Sequence, residues 1–231
     1  MEGAHAFALD AVSGKQFRSV LFANAAKVVM AERDADLRDA LWGADMLAAD
    51  GQSLVWASRL LGQALPERVA GIDYMLSLLG LADARGWRVF FLGGREAVLE
   101  RVEEFCRRSH PGLVVAGSHH GYFEPERDAE IAALVRASEA DIVFVGMPSP
   151  RKELWIARHG PSTGVALAVA SGGSFDVIAG VVTRAPALWQ RLGFEWFWRV
   201  VQEPRRLWKR YLTTNSRFLA MTVREWVRRR R

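Results

Sequence analysis

Apolar residues in this chain come in short unbroken runs, separated by stretches of helical periodicity. Residues 19–23, 45–49, 88–92, 113–117, 141–145 and 165–169 are such runs, SVLFA and DIVFV among them. Runs of this length without polar alternation are expected of strands buried on both faces. Between them, residues 25–40, 52–61, 72–84, 97–108, 127–137 and 152–158 carry the spacing of amphipathic helices. Continuous strands alternating with helices predict an α/β fold: a Rossmann-like, mostly parallel sheet with helices on both faces. A basic helical appendage follows at the C-terminus. The expected organisation is a core over residues 1–186 and an appendage over residues 187–231.

Charge sharpens that division. Residues 184–231 hold thirteen Lys/Arg against three Asp/Glu, whereas residues 1–183 hold eighteen against twenty-three. Five of the nine tryptophans also lie in the last quarter: Trp189, Trp196, Trp198, Trp208 and Trp226. A helix starting at Pro204, where a first-turn proline loses no hydrogen bond, would gather Arg206, Arg210, Arg217, Arg224 and Arg228 within about 40° of one another. Trp208, Leu212, Leu219, Val223 and Trp226 would fall on the opposite side. A basic stripe backed by an apolar one suits an anionic membrane surface. The competing reading is a helix docked on the core with a solvated basic face.

Other bulk features narrow the class. Cys106 is the single cysteine, which leaves no internal disulfide and no cysteine-based metal site. Residues 1–10 lack the order of a signal peptide, and no apolar stretch reaches the length of a spanning helix. The expectation is a cytoplasmic protein, peripheral on the inner face of the plasma membrane. His119 and His120 are adjacent in a strand, so their side chains point to opposite faces and a shared metal is not expected.

In a parallel sheet, ligands sit beyond the carboxyl ends of the strands. The residues there are Asn24, Asp50-Gly51, Gly93-Gly94, the segment from Gly146 through Lys152 and Glu153, and Ser171-Gly172-Gly173-Ser174-Phe175-Asp176. Gly93-Gly94 and Gly172-Gly173 could bring backbone amides to a phosphate, or simply make tight turns. Asp50 could serve as a general base, or cap the helix that begins at Gln52. Asp176 reads equally well as a turn residue.

Taken in order, these pieces resemble the WecG/TagA/CpsF family of bacterial glycosyltransferases. The resemblance is carried by Ala49-Asp50-Gly51, Arg68-Val69-Ala70-Gly71-Ile72-Asp73, Phe91-Leu92-Gly93-Gly94, Gly121-Tyr122-Phe123 and Pro150-Arg151-Lys152-Glu153. It continues through Gly172-Gly173-Ser174-Phe175-Asp176, Arg184-Ala185-Pro186, Phe194-Glu195-Trp196 with Arg199, Glu203-Pro204-Arg205-Arg206 and Arg210-Tyr211. It implies an inverting, UDP-sugar-dependent hexosyltransferase. The acceptor would be a polyprenyl-diphosphate-linked sugar in cell-surface polysaccharide synthesis, exopolysaccharides included. No metal or other cofactor and no nucleic acid is implied, and association into homo-oligomers is allowed. Asp50 would be the base. Asn24, Arg68, Gly71, Asp73, Gly93, Gly94, Lys152, Glu153, Gly172 and Asp176 would bind donor or acceptor. Arg199, Arg205, Arg206 and Arg210 would hold the lipid diphosphate, since guanidinium groups grip phosphate in bidentate fashion.

Two departures bear on specificity. Phe22-Ala23-Asn24 stands where the family has Thr-x-Asn, and Lys152 replaces a glutamine. The cation at Lys152 suggests a uronic-acid donor or an acidic acceptor, beside N-acetylmannosamine-type sugars and glucose. The alternatives are a catalytically inactive, membrane-bound scaffold, a dinucleotide-dependent oxidoreductase lacking its G-x-G-x-x-G, and a nucleic-acid-binding module.

Overall fold

The computed structural model describes residues 2–191, 193, 195–202 and 204–230; the side chains of residues 187, 191, 199, 205–207 and 209–211 lie outside the described set. Helix α1 (Glu2–Gly14) leads into β1 (Arg18–Ala23), α2 (Ala25–Ala31), α3 (Ala35–Trp42), β2 (Met46–Ala49) and α4 (Gln52–Leu60). Then come α5 (Gly71–Arg85), β3 (Arg88–Gly93), α6 (Glu96–Ser109), β4 (Val114–His119), α7 (Asp128–Ala137), β5 (Ile142–Gly146) and α8 (Arg151–His159). The chain closes with β6 (Leu167–Ala170), α9 (Ser174–Ile178), α10 (Ala187–Arg191), α11 (Glu195–Gln202) and α12 (Pro204–Arg229).

The six strands form one sheet in the order β2-β1-β6-β5-β3-β4, with parallel pairing at β1–β6, β6–β5, β5–β3 and β3–β4. This is the α/β, Rossmann-like sheet that the apolar runs predict. Val20, Leu21, Val89, Phe91, Val143, Phe144, Leu167 and Val169 are all buried, as unbroken runs demand of strands covered on both sides.

The residues group into two compact units. The first takes in Met1–Leu21, Asp39–Leu47 and Gly71–Val182; the second takes in Phe22–Arg38, Ala48–Ala70 and Thr183–Arg231. Strands β1 and β2 each begin in the first unit and end in the second, so the residues that follow them, Asn24 and Asp50, belong to the second.

Two local features differ from the periodicity. The expected helix over residues 25–40 is two helices, because Asp34 Oδ1 accepts from Leu37 N at 2.9 Å and caps a new helix there. Helix α1 has no counterpart in the sequence reading. It buries Ala4, Ala8, Ala11 and Val12, and the Tyr74 hydroxyl donates to the Ala4 carbonyl at 3.0 Å.

Within the second unit, α12 packs against α2. Thr222 lies on the buried side. Leu212 and Leu219 are 62% and 63% exposed, and Trp208 and Val223 are also open to solvent. The apolar stripe expected on this helix therefore exists, but it is not the face that packs. Arg224 and Arg228 are exposed as well; Arg224 reaches Glu32 at 3.4 Å, and Arg229 Nη1 donates to the Leu61 carbonyl at 3.0 Å. Among the described residues, no helix is long and apolar enough to cross a membrane.

Candidate active site

In the second unit the site grows from the ends of β1 and β2. Asn24 is the N-cap of α2, its Oδ1 accepting from Lys27 N at 3.0 Å. Lys27 is buried, and its ammonium donates to the Phe22 carbonyl. The Phe22 side chain is itself buried, so its aromatic ring is part of the core. Asp50 N donates to the Ala23 carbonyl at 2.7 Å, which ties the two strand ends together. The capping position of α4 falls to Gly51, with no side-chain cap. The half-buried Asp50 carboxylate is thus not the cap of that helix. Gly51 is held close to Asn24: a Cβ there would lie 3.6 Å from the Asn24 Cβ.

Val69 N donates to the Ala49 carbonyl at 3.0 Å. That bond sets Arg68 in the segment alongside the Asp50 turn. Arg68 Nη1 in turn donates to Glu195 Oε2 at 3.2 Å, and Arg184 Nε lies 3.8 Å from Glu195 Oε1. Arg184 and Glu195 have no site role in the sequence reading. Arg68 and Glu195 are 127 positions apart, and no spacing rule connects residues at that distance. The four arginines assigned to the lipid diphosphate, Arg199, Arg205, Arg206 and Arg210, have side chains outside the described residues.

In the first unit the strand ends meet at glycines. Gly93 pairs with Gly146 across β3 and β5. Its φ is +133°, and a Cβ would fall 2.4 Å from the Gly146 carbonyl carbon, so only glycine fits there. Gly94, at φ +69°, accepts from Gly121 N at 3.0 Å and immediately precedes Arg95, the N-cap of α6. This is a strand–glycine–helix turn, a geometry in which a ligand can approach the backbone closely.

Beside it, the first turn of α8 carries a buried polar cluster. Lys152 is 5% exposed and Glu153 fully buried. The Lys152 ammonium lies 3.0 Å from Glu153 Oε1; Ser149 Oγ donates to the same oxygen at 2.9 Å and accepts from Lys152. Gly172, at φ +51°, approaches the Lys152 stem. Arg151 grips Asp128 in bidentate fashion, 2.7 and 2.5 Å, with His159 Nε2 3.6 Å from the same carboxylate; this braces α8 to α7. Gly71 opens α5, and Asp73 lies in its first turn. Asp176 sits in the first turn of α9, and its carbonyl accepts from Val181 N and Val182 N. His119 Nδ1 is 2.8 Å from the His120 carbonyl, and His120 Nδ1 accepts from Tyr122 N at 3.2 Å. Both imidazoles serve the turn after β4. Among the described residues no group of three His, Cys, Asp or Glu could hold a metal ion.

The family model described as "Glycosyl transferase WecG/TagA/CpsF family" matches residues 1–231. The chain belongs to the WecG/TagA/CpsF family. One relative is the N-acetylglucosaminyldiphosphoundecaprenol N-acetyl-beta-D-mannosaminyltransferase of Bacillus spizizenii, 39% identical over 173 residues, which is 75% of this chain and 66% of that protein. The matched stretch thus spans just under two thirds of the relative's length. In this WecG/TagA/CpsF chain the Asp50-Gly51 turn lies between β2 and α4. The Lys152 cation is supplied with a protein carboxylate, Glu153.

Proposed function

We infer that this protein is an inverting glycosyltransferase. In this reading it moves an N-acetylmannosamine-type sugar from a UDP-sugar to a polyprenyl-diphosphate-linked sugar at the membrane face. The carrying observation is the Asp50 turn: a half-buried carboxylate at a strand end, relieved of helix capping by Gly51 and flanked by Arg68. Asp50 takes the proton of the acceptor hydroxyl as that oxygen bonds to the anomeric carbon on the face opposite the leaving group. The bond from that carbon to the phosphate oxygen breaks, and UDP departs with the electron pair. Proton removal by a placed base contributes about 10²–10⁴-fold. Amide and guanidinium groups carry the charge that develops on the diphosphate, a role for which preorganised donors are effective. The reading requires no metal.

The relative's name supports the donor and acceptor classes. The Lys152–Glu153 pair supports an uncharged donor over a uronic acid, because the buried ammonium already has an anionic partner. The exposed apolar stripe of α12 and its arginines support peripheral contact with an anionic bilayer.

The test is UDP release from UDP-N-acetylmannosamine, UDP-glucose and UDP-glucuronic acid, with and without N-acetylglucosaminyl-diphosphoprenol. Acceptor-dependent release from UDP-N-acetylmannosamine is expected, insensitive to EDTA. Release independent of acceptor, or none from any donor, would overturn the reading.

A further inference from the structure

Helix α4 carries five apolar residues in nine, Leu54, Val55, Trp56, Ala57 and Leu60, yet of these only Val55 is buried. A helix so apolar ordinarily hides most of that surface. Here Trp56 is 51% and Leu60 49% exposed, and their spacing of four puts them on one face with Gln52. The face therefore turns from polar to apolar as it leaves the Asp50 turn. Beyond it the chain doubles back. Gly62 takes φ +74°, Gln63 N donates to the Ser58 carbonyl at 2.9 Å, and Leu65 N donates to Ser58 Oγ at 3.0 Å. Leu65, 39% exposed, is thereby fixed alongside α4. Trp56 is steadied by the Gly193 turn, which comes so close that a Cβ there would lie 3.5 Å from Trp56 Cη2. Trp56, Leu60 and Leu65 thus form an apolar strip that is open to solvent and already in place.

The two ends of the strip decide what fits it. One end is the Asp50 turn, because α4 starts directly after its N-cap, Gly51. The other end meets α12, where Arg229 donates to the Leu61 carbonyl at 3.0 Å. That helix carries the open stripe of Trp208, Leu212, Leu219 and Val223. At 1.5 Å per residue, Trp56 and Leu60 lie about 6 and 12 Å from the start of α4. An acceptor whose hydroxyl sits at Asp50 passes through one sugar and one diphosphate before its hydrocarbon begins. The α4 strip lies on that path, between the base and the helix with the apolar stripe. We propose that Trp56, Leu60 and Leu65 hold the first isoprene units of the acceptor's polyprenyl chain against the protein, outside the bilayer. This deepens the glycosyltransferase reading and rests on it, since the prenyl chain belongs to the acceptor. A strip fixed before the ligand arrives costs little ordering on binding, so its apolar area counts toward affinity.

The test uses the full chain with two soluble acceptors, N-acetylglucosaminyl diphosphate bearing a farnesyl or a methyl group, without vesicles or detergent. The wild type should show a KM about tenfold or more lower for the farnesyl compound. Leu60→Ser should shrink that ratio about threefold to tenfold, and Trp56→Ser at least as far. Leu60 is exposed and is the safer of the two for folding, which an unchanged melting temperature checks. Equal KM values for the two acceptors in the wild type overturn the proposal, as does a ratio that both folded variants leave intact. Two such outcomes name another occupant. If Leu60→Ser lowers vesicle partition with the ratio intact, the strip meets the bilayer; if it abolishes self-association with the ratio intact, the strip meets a second copy. Binding separates this inference from the reading beneath it. Farnesyl diphosphate should bind the wild type about tenfold tighter than inorganic pyrophosphate, and Leu60→Ser should lose most of that preference. If no acceptor receives sugar while the preference holds and the variant loses it, the glycosyltransferase reading fails and the strip stands as a prenyl site. If sugar is transferred with equal KM values, the strip fails and the reading stands.

Discussion

Replacing Lys152 by methionine removes an ammonium from a cluster that is almost wholly enclosed. Glu153 would keep the Ser149 hydroxyl at 2.9 Å but lose the cation at 3.0 Å. Removing one partner of a buried ion pair costs about 3–5 kcal/mol, because the remaining charge stays out of water. The surviving hydroxyl bond places Lys152→Met at the lower end, near 3 kcal/mol. Glu153→Gln should cost a similar amount by taking away the carboxylate that neutralises the buried ammonium. The double variant Lys152→Met/Glu153→Gln removes both charges and conserves volume, so most of the loss should be restored. Equilibrium urea unfolding of the four proteins reads this directly, as shifts in midpoint at constant m-value. A coupling energy of about 2 kcal/mol or more is expected between the two sites. A Lys152→Met loss under about 1 kcal/mol, or single effects that add in the double variant, would refute the view of the pair as a mutually neutralising unit. The same view has a functional side. Lys152→Gln should leave the relative rates with UDP-glucuronic acid and uncharged donors unchanged, and a switch in preference would return Lys152 to the substrate.

Other consequences can be tested alongside it. Asp50→Asn should retain the fold by circular dichroism and lose about 10²–10⁴-fold in transfer rate; near-normal turnover would remove Asp50 as the base. Gly146→Ala places a Cβ about 2.5 Å from the Phe175 ring, which is itself stacked edge-on against Phe91; it should lower stability by about 1–3 kcal/mol, and an unshifted urea midpoint would contradict the packing. Leu212→Glu with Leu219→Glu should lower partition onto anionic vesicles by about tenfold or more without changing the melting temperature; unchanged sedimentation with vesicles would show that the stripe is not the contact. Burial, reinforced by the Glu103 charge, pushes the Cys106 thiol up to about 12. The unfolded chain ionises near its usual value of about 8.5, so this contribution to stability is complete below that pH and is lost as pH climbs toward 12. The folded protein should also resist thiol reagents at pH 8, and rapid labelling there would contradict the burial.

What the sequence makes legible, and what it hides, follows from the range of the interactions involved. All six strands are readable from short apolar runs, a purely local signal, and the signal is strongest where burial on two faces leaves a run such as Ile142–Gly146 unbroken. Their order is not, because placing β6 between β1 and β5 depends on packing between distant segments. The Asp50 turn is readable as a candidate, yet its two local roles look alike until the structure assigns the cap to Gly51. Lys152 is the instructive case. Consecutive residues on a helix do not ordinarily face each other, so sequence logic points its charge outward to a substrate. Burial of the first turn of α8 bends both side chains to one Ser149 hydroxyl. The Arg68–Glu195–Arg184 bridge lies beyond any local rule.

The distribution of exposed apolar side chains gives the tail a meaning that its charge alone does not. Among the described residues, twelve exposed large apolar side chains fall in the second unit and six in the first, although the first is the longer. The excess comes from Trp56, Leu60 and Leu65 around α4, from α10 and α11, and from the outer stripe of α12. Isolated exposed leucines need no explanation, but a concentration of them beside basic residues marks an interaction surface. The second unit also carries Asp50 and Arg68. Under the proposed function, the group that takes the proton from a lipid-borne hydroxyl is thereby built into the same compact body as the residues fit to meet lipid. In that proposal, positioning at the bilayer and deprotonation of the acceptor become properties of one piece of structure. On that argument, Leu212→Glu with Leu219→Glu on the α12 stripe should raise the KM for a long-chain acceptor in vesicles while sparing kcat with a short, soluble one.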